Sequence, residues 1–169
     1  VKWEFSLEMA RRCQNQLFAG VDIGRKKDLT SMTVIERVGG LYLVRKRIDL
    51  EKTPFRQQEA QLWPWFEVCS RVCIDNTGLG MQFAERSGEC FGDYKIEPVT
   101  FSGPVKEALA YPVRSAFEDV AIRIPFEDDA LQSDIRKVRK ETTPTASGAG
   151  PVDPRSQVAE RDPWFPGGT

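Results

Sequence analysis

Two short apolar runs in this chain each end in an aspartate followed by a glycine turn. The first is Leu17-Phe18-Ala19-Gly20-Val21-Asp22-Ile23-Gly24; the second is Arg71-Val72-Cys73-Ile74-Asp75, with Asn76-Thr77-Gly78-Leu79-Gly80 behind it. Short apolar runs bounded by turn residues read as buried strands. Between them, Thr30–Val38 and Leu41–Leu50 are β-branched or alternating stretches joined at Gly39-Gly40, a hairpin signal. Pro54 to Leu62 then fits a helix with proline in its first turn and Thr53 as N-cap, and Pro64 predicts a kink or an early end. Strand, hairpin, helix and strand in this order predict a three-strand antiparallel meander, with strand 71–75 returning parallel beside the first. Asp22 and Asp75 then stand side by side.

Further along, the pattern predicts a helix over 81–86, a strand over 96–101 and a helix over 105–120 interrupted by Pro112. A short strand over 121–125 and a helix over 128–140 follow, the last with acids at its start and bases at its end, as the helix dipole favours. The fold class is α/β, a mixed sheet flanked by helices. Residues 1–16 read as a lead-in helix cut from something longer, and 17–141 as the domain. In 142–169, Pro144, Pro151, Pro154, Pro163 and Pro166 fall among Gly148, Gly150, Gly167 and Gly168, so this tail is expected to lack a stable core element.

Composition narrows the chemistry. The 169 residues suffice for one domain and a tail. Histidine is absent, which excludes Ser-His-Asp, Cys-His and His-zinc chemistry and leaves proton transfer to carboxylates, lysine, tyrosine, thiolate or metal-bound water. Cys13, Cys69, Cys73 and Cys90 form no C-x-x-C pair, and buried reduced thiols are expected. No apolar run approaches the ~18 residues of a membrane span, and no signal peptide is visible. A reducing cytoplasm fits.

An acid in an apolar strand is costly to bury unless it is neutralised, hydrogen-bonded or bound to a cation. Taken singly, Asp22 or Asp75 is more often a turn or cap residue. As a pair they repel, and a divalent cation relieves the repulsion. Mg²⁺ or Mn²⁺ held by carboxylates activates water and stabilises in-line phosphoryl displacement without histidine. The net charge of −1 argues against a surface that is basic throughout. Local basic groups remain as candidate nucleic-acid contacts: Arg25, Lys26 and Lys27 just after Asp22, Lys106, and Arg136 with Lys137, although the last two also suit a helix C-terminus. Arg45-Lys46-Arg47 reads as solvated strand charge, and Trp63, Trp65 and Phe66 as packing aromatics.

Several of these stretches occur together in a recognisable order: Gly20-Val21-Asp22-Ile23-Gly24-Arg25-Lys26-Lys27-Asp28-Leu29-Thr30, Pro54-Phe55-Arg56-x-Gln58-Glu59, Val72-Cys73-Ile74-Asp75-x-Thr77-Gly78-x-Gly80-Met81-Gln82, Glu97-Pro98-Val99-Thr100-Phe101, and Val105-Lys106-Glu107-x-Leu109-Ala110-Tyr111-Pro112. Over residues 17–140 the chain resembles the C-terminal nuclease domain of the large terminase subunit of tailed phages, particularly the Mu-like branch. The resemblance implies an RNase H-like fold that cuts concatemeric or host-flanked double-stranded DNA during packaging in the bacterial cytoplasm. It also implies a two-metal site of Mg²⁺ or Mn²⁺, a portal protein and a terminase small subunit as partners, and an ATPase motor domain. Asp22 and Asp75 match the family's first and second metal-binding acids. The motor's phosphate loop is not in this chain, which reads as a fragment or a split product. The family's Asp-Gly-His-Ala-Asp stretch, which supplies the third acid, is also missing; after Lys140 the residues read as though the frame had shifted. Asp153, Glu160 and Asp162 are the carboxylates left in the tail, with Asp162 as the candidate third ligand.

Two rival readings stand beside this one. A non-catalytic packaging module would keep the fold without cutting. An actin-like ATPase shares the Val21-Asp22-Ile23-Gly24 hairpin but needs a second lobe for which this length leaves no room.

Overall fold

The computed structural model describes residues 4–24 and 29–138. Among them the elements run α1 (Leu7–Arg12), β1 (Gln16–Asp22), β2 (Thr30–Val38), β3 (Leu41–Leu50), α2 (Phe55–Val68), β4 (Arg71–Asp75), α3 (Leu79–Phe91), β5 (Ile96–Val99), α4 (Gly103–Glu118), β6 (Ile122–Arg123) and α5 (Asp129–Lys137). The chain forms two compact units, one reaching Pro125 and holding all six strands, the other beginning at Phe126 and holding α5.

In the first unit the six strands make one mixed sheet in the order β5-β4-β1-β2-β3-β6. The meander β1-β2-β3 is antiparallel, and Gly39 turns its hairpin at φ +59°. β4 lies parallel to β1, and β5 parallel to β4. This is the arrangement expected from a helical crossover between the first and fourth strands.

Alternation decides which face is covered. Leu17, Ala19 and Val21 of β1, Met32 and Val34 of β2, and Val72 and Ile74 of β4 point to one side and are buried. α2 and α3 close over that side with Leu62, Trp65, Phe66, Phe83 and Ala84. Phe66 and Phe83 meet edge to face at 6.1 Å. Phe5 and Ala10, which precede residue 17, are buried in the same core, so the N-terminal segment packs onto the domain.

Several expectations are corrected. α2 continues through Pro64 to Val68. Buried Trp65 and Phe66 lie just beyond the proline, and their burial, about 1.5–3 kcal/mol each, offsets the ~3 kcal/mol cost of an interior proline. α4 likewise runs unbroken through Pro112, where the surrounding helix is exposed and water can take the freed carbonyl. Thr53 does not cap α2: its hydroxyl donates to the Glu51 carbonyl, and Pro54 occupies the cap position. α3 extends past Ser87-Gly88 to Phe91, because Ser87 is buried and accepts a hydrogen bond from Trp63 Nε1 at 3.2 Å.

All four cysteines are free. The expected burial of the thiols holds for Cys69 alone, pushed up to about 12 by desolvation; Cys13 and Cys73 are half-buried and Cys90 is exposed. Arg45 pairs with Glu36, Lys46 with Glu4, and Arg47 with Asp49, so the basic triplet is used in ion pairs. Part of β3 is also covered by β6 rather than being an edge. In the second unit, Asp128 caps α5 by accepting from Leu131 N at 3.0 Å, and Gln132 donates to the Phe126 carbonyl at 3.0 Å. No helix among the described residues is long and apolar enough to cross a membrane.

Candidate active site

The parallel pairing of β1 with β4 sets Val21 beside Ile74, one step before each strand reaches its aspartate. Adjacent strands lie ~4.8 Å apart, and side chains at equivalent steps share a face. Asp22 and Asp75 therefore project together from the face that α2 and α3 leave open. The row continues on both sides, Val99 beside Asp75 and Ser31 beside Asp22, with Asp49 beyond Ser31. Ser31 Oγ donates to Asp49 Oδ1 at 2.7 Å.

The acids stand in a cleft of about 580 Å³. Gly20, Ser31, Thr33, Cys73 and Phe101 line it around them, and Lys106 of α4 reaches its wall. Glycine at position 20 leaves the floor below Asp22 open, since a Cβ there would meet nothing within 4 Å. A smaller hollow of about 350 Å³ runs from Asp22 to Thr77 and Gly78.

Electrostatics sets Asp22 apart from an ordinary turn residue. Partial desolvation pushes the Asp22 carboxyl above its usual range, and the negative charge of Asp75 pushes it further in the same direction. Asp22 remains exposed as a residue, so it faces solvent even though its carboxyl is partly shielded. Asp75 is half-buried, and Thr77 Oγ1 donates to its Oδ1, which orients that carboxylate. The chain then turns at Gly78, at φ +59°, into α3. Gly80 admits no substitute: a Cβ there would lie 1.9 Å from the Asp75 carbonyl oxygen. Asp75 is also tied to β5, since Asn76 N donates to the Val99 carbonyl at 2.8 Å.

Of the residues singled out in the sequence, the structure brings together Asp22, Asp75 and Lys106. Arg25, Lys26, Lys27 and Asp162 lie outside the described residues. Arg136 and Lys137 occupy the last turn of α5 in the second unit, where Lys137 bridges Asp134 at 3.5 Å, a role in keeping with helix-end charge. Ser31, Thr33 and Thr77 were not anticipated. Thr77, two residues after an acid that closes a strand, carries the signature of a side-chain turn and was legible on that ground.

Two carboxylates on one wall, repelling each other and open to water, suit a hard divalent cation with oxygen ligands. Among the described residues no third acid, cysteine or histidine joins them in a metal-binding group.

Comparisons with known proteins bear out the fold. The profile of the Terminase RNaseH-like domain matches residues 19–163. Among solved structures, the large terminase nuclease from thermophilic phage G20c with bound magnesium superposes with a TM-score of 0.65 at 21% identity, over 78% of this chain and 68% of that one. The zinc-bound form of the G20c nuclease gives 0.61 at 22%, over 75% and 72%. The large terminase nuclease domain of Thermus phage P74-26 gives 0.61 at 19%, over 77% and 66%. Comparison with curated proteins gave no match. The RNase H-like fold expected from the sequence is thus the fold observed, and the chain belongs to the Terminase RNaseH-like domain family.

Proposed function

We propose that this chain is the metal-dependent endonuclease domain of a phage DNA-packaging terminase and that Asp22 and Asp75 hold its divalent cations. The observation that carries the reading is the placement of two mutually repelling carboxylates at adjoining strand ends, in an open cleft with a lysine on its wall. Mg²⁺ or Mn²⁺ as a pair would supply an activated water and stabilise the leaving oxygen of a phosphodiester.

The chain's own residues do the rest. Asp22 and Asp75 contribute oxygen ligands, and Thr77 fixes the orientation of Asp75. Lys106 contributes positive charge to the wall where a phosphate backbone would lie. We assign Arg25, Lys26 and Lys27, which follow Asp22 after Ile23 and Gly24, and Arg136 and Lys137 to further DNA contacts, and Asp162 to the third metal ligand. We divide the chain into a lead-in over 1–16, the nuclease domain over 17–141 and a tail over 142–169; the family match crosses the last boundary. Portal protein, terminase small subunit and an ATPase motor are the partners such a domain would serve, in the cytoplasm of a bacterial host.

The test is nicking of supercoiled plasmid by the full chain in Mn²⁺ or Mg²⁺. Nicking that is abolished by EDTA, by Asp22→Asn and by Asp75→Asn supports the reading. Nicking that persists in excess EDTA, or in both variants, overturns it. Metal-dependent DNA binding without nicking would instead favour a packaging module that keeps the fold alone.

A further inference from the structure

Beyond Asp22 the chain leaves β1 through Ile23 and Gly24, and the ladder to β2 has ended at the pair of Asp22 with Ser31. The next tie is made by a side chain. Gly24 N donates to Thr30 Oγ1 at 2.9 Å, and the same hydroxyl donates to Gln58 Oε1 of α2 at 3.0 Å. The Gln58 amide donates in turn to the Thr53 carbonyl at 2.8 Å. Thr30 is wholly buried, and Gln58 nearly so at 6% exposure. A threonine hydroxyl has one proton to give and lone pairs to receive, so this one is used in both directions. Ile23, between Asp22 and Gly24, is buried in the core.

We infer that Thr30 and Gln58 are positioning residues for the acid pair: through Gly24 they hold the end of β1, and with it the Asp22 carboxylate, in register with Asp75. The inference rests on the metal-centre reading above. Neither residue lines the cleft, so neither touches a bound ion, and both act through the backbone. A buried polar relay with every inward group satisfied specifies one arrangement, whereas an apolar contact at the same place would let the strand end slide. Gln58 belongs to this relay rather than to the packing of α2 alone, because its two amide atoms bond to two different segments.

The experiment measures Mn²⁺ affinity by calorimetric titration of the full chain and of four variants, together with each variant's melting temperature. Thr30→Val keeps the shape and removes the hydroxyl, Gln58→Met removes the amide, and Thr30→Ser restores the hydroxyl. Phe66→Leu loosens the core on the covered side of the sheet, away from the acids. Groups hydrogen-bonded directly to metal ligands commonly change affinity 10–100-fold; Thr30 and Gln58 act one step further out, so Thr30→Val and Gln58→Met are each expected at the low end, weakening Mn²⁺ binding by about tenfold. Thr30→Ser is expected to stay close to wild type, and Phe66→Leu to lose melting temperature without losing affinity. Wild-type affinity in Thr30→Val and Gln58→Met overturns the inference and leaves the metal centre standing. So does an equal loss in Phe66→Leu, since the effect would then be general destabilisation. Absence of Mn²⁺ binding by the wild-type chain overturns the metal-centre reading and this inference with it.

Discussion

Asp22 and Asp75 end two parallel neighbours, one residue past the pairing of Val21 with Ile74, and the charge of Asp75 helps hold the Asp22 carboxyl above its ordinary range. A fold that placed these acids only as turn caps would have no reason to set them against each other. Their proximity destabilises the metal-free protein.

That relationship makes stability depend on pH with a definite sign. Because the folded state raises the Asp22 pKa, through desolvation first and Asp75 second, the folded chain binds more protons there than the unfolded chain. The resulting stabilisation is fully present below the ordinary carboxylate range and is lost as pH rises through the raised folded value. Metal-free wild type should therefore lose melting temperature relative to Asp22→Asn across that window, and the two should run parallel below it. Thermal melts in EDTA from about pH 3 to pH 7 measure this. A constant difference over the whole range would show that Asp22 is not perturbed.

Glu36 should behave in the opposite way. It is buried in β2, and desolvation alone would raise its pKa, but hydrogen bonds from Asn15, Arg45 and Cys13 outweigh this and lower it. Its contribution is present above the ordinary glutamate value and is lost as pH falls through the lowered one. With the side chains of Arg45 and Glu36 only 27% and 6% exposed, solvent screens the pair little. Glu36→Gln should cost about 1.5–3 kcal/mol at neutral pH, the range for hydrogen bonds to charged groups. Urea unfolding checks it, and a loss below about 0.5 kcal/mol, the level of ordinary surface changes, would contradict it.

Gly80→Ala should disrupt the site from behind. Its Cβ would fall 1.9 Å from the Asp75 carbonyl oxygen, and that atom belongs to the backbone of β4, so either α3 or the end of the strand must move. Overpacking costs about 1–3 kcal/mol even where side chains can yield, and here the neighbour is main chain. The expected result is a loss of at least this size in denaturant unfolding, with weakened Mn²⁺ binding. A variant as stable as wild type would show that the junction of β4 and α3 has more room than described.

Much of the sheet was readable because β-strands announce themselves by alternation and helical crossovers fix parallel neighbours. The runs ending in Asp22 and Asp75, with the Gly39-Gly40 hairpin between them, suffice to bring the acids together. The helices were less legible where local rules met tertiary packing. Pro64 reads as a kink or an early end, but Trp65 and Phe66 need the helix to continue so that they can be buried. The helix expected over 81–86 continues to Phe91, because Ser87 is buried and bonded to Trp63. The relay through Thr30 and Gln58 carries no local signature, since its partners are 28 residues apart and only the packing of α2 under the sheet joins them. Lys106 is one of several basic candidates in the sequence. The structure, rather than its spacing, puts it on the wall of the cleft with the two acids.

The most direct measurement is anomalous scattering from crystals of the full chain soaked in Mn²⁺. The expected result is a manganese peak between the carboxylates of Asp22 and Asp75, absent from crystals of Asp75→Asn. Crystals of wild-type protein that bind manganese elsewhere, or show none between these two residues at saturating concentration, would contradict the assignment of the acid pair as the metal centre.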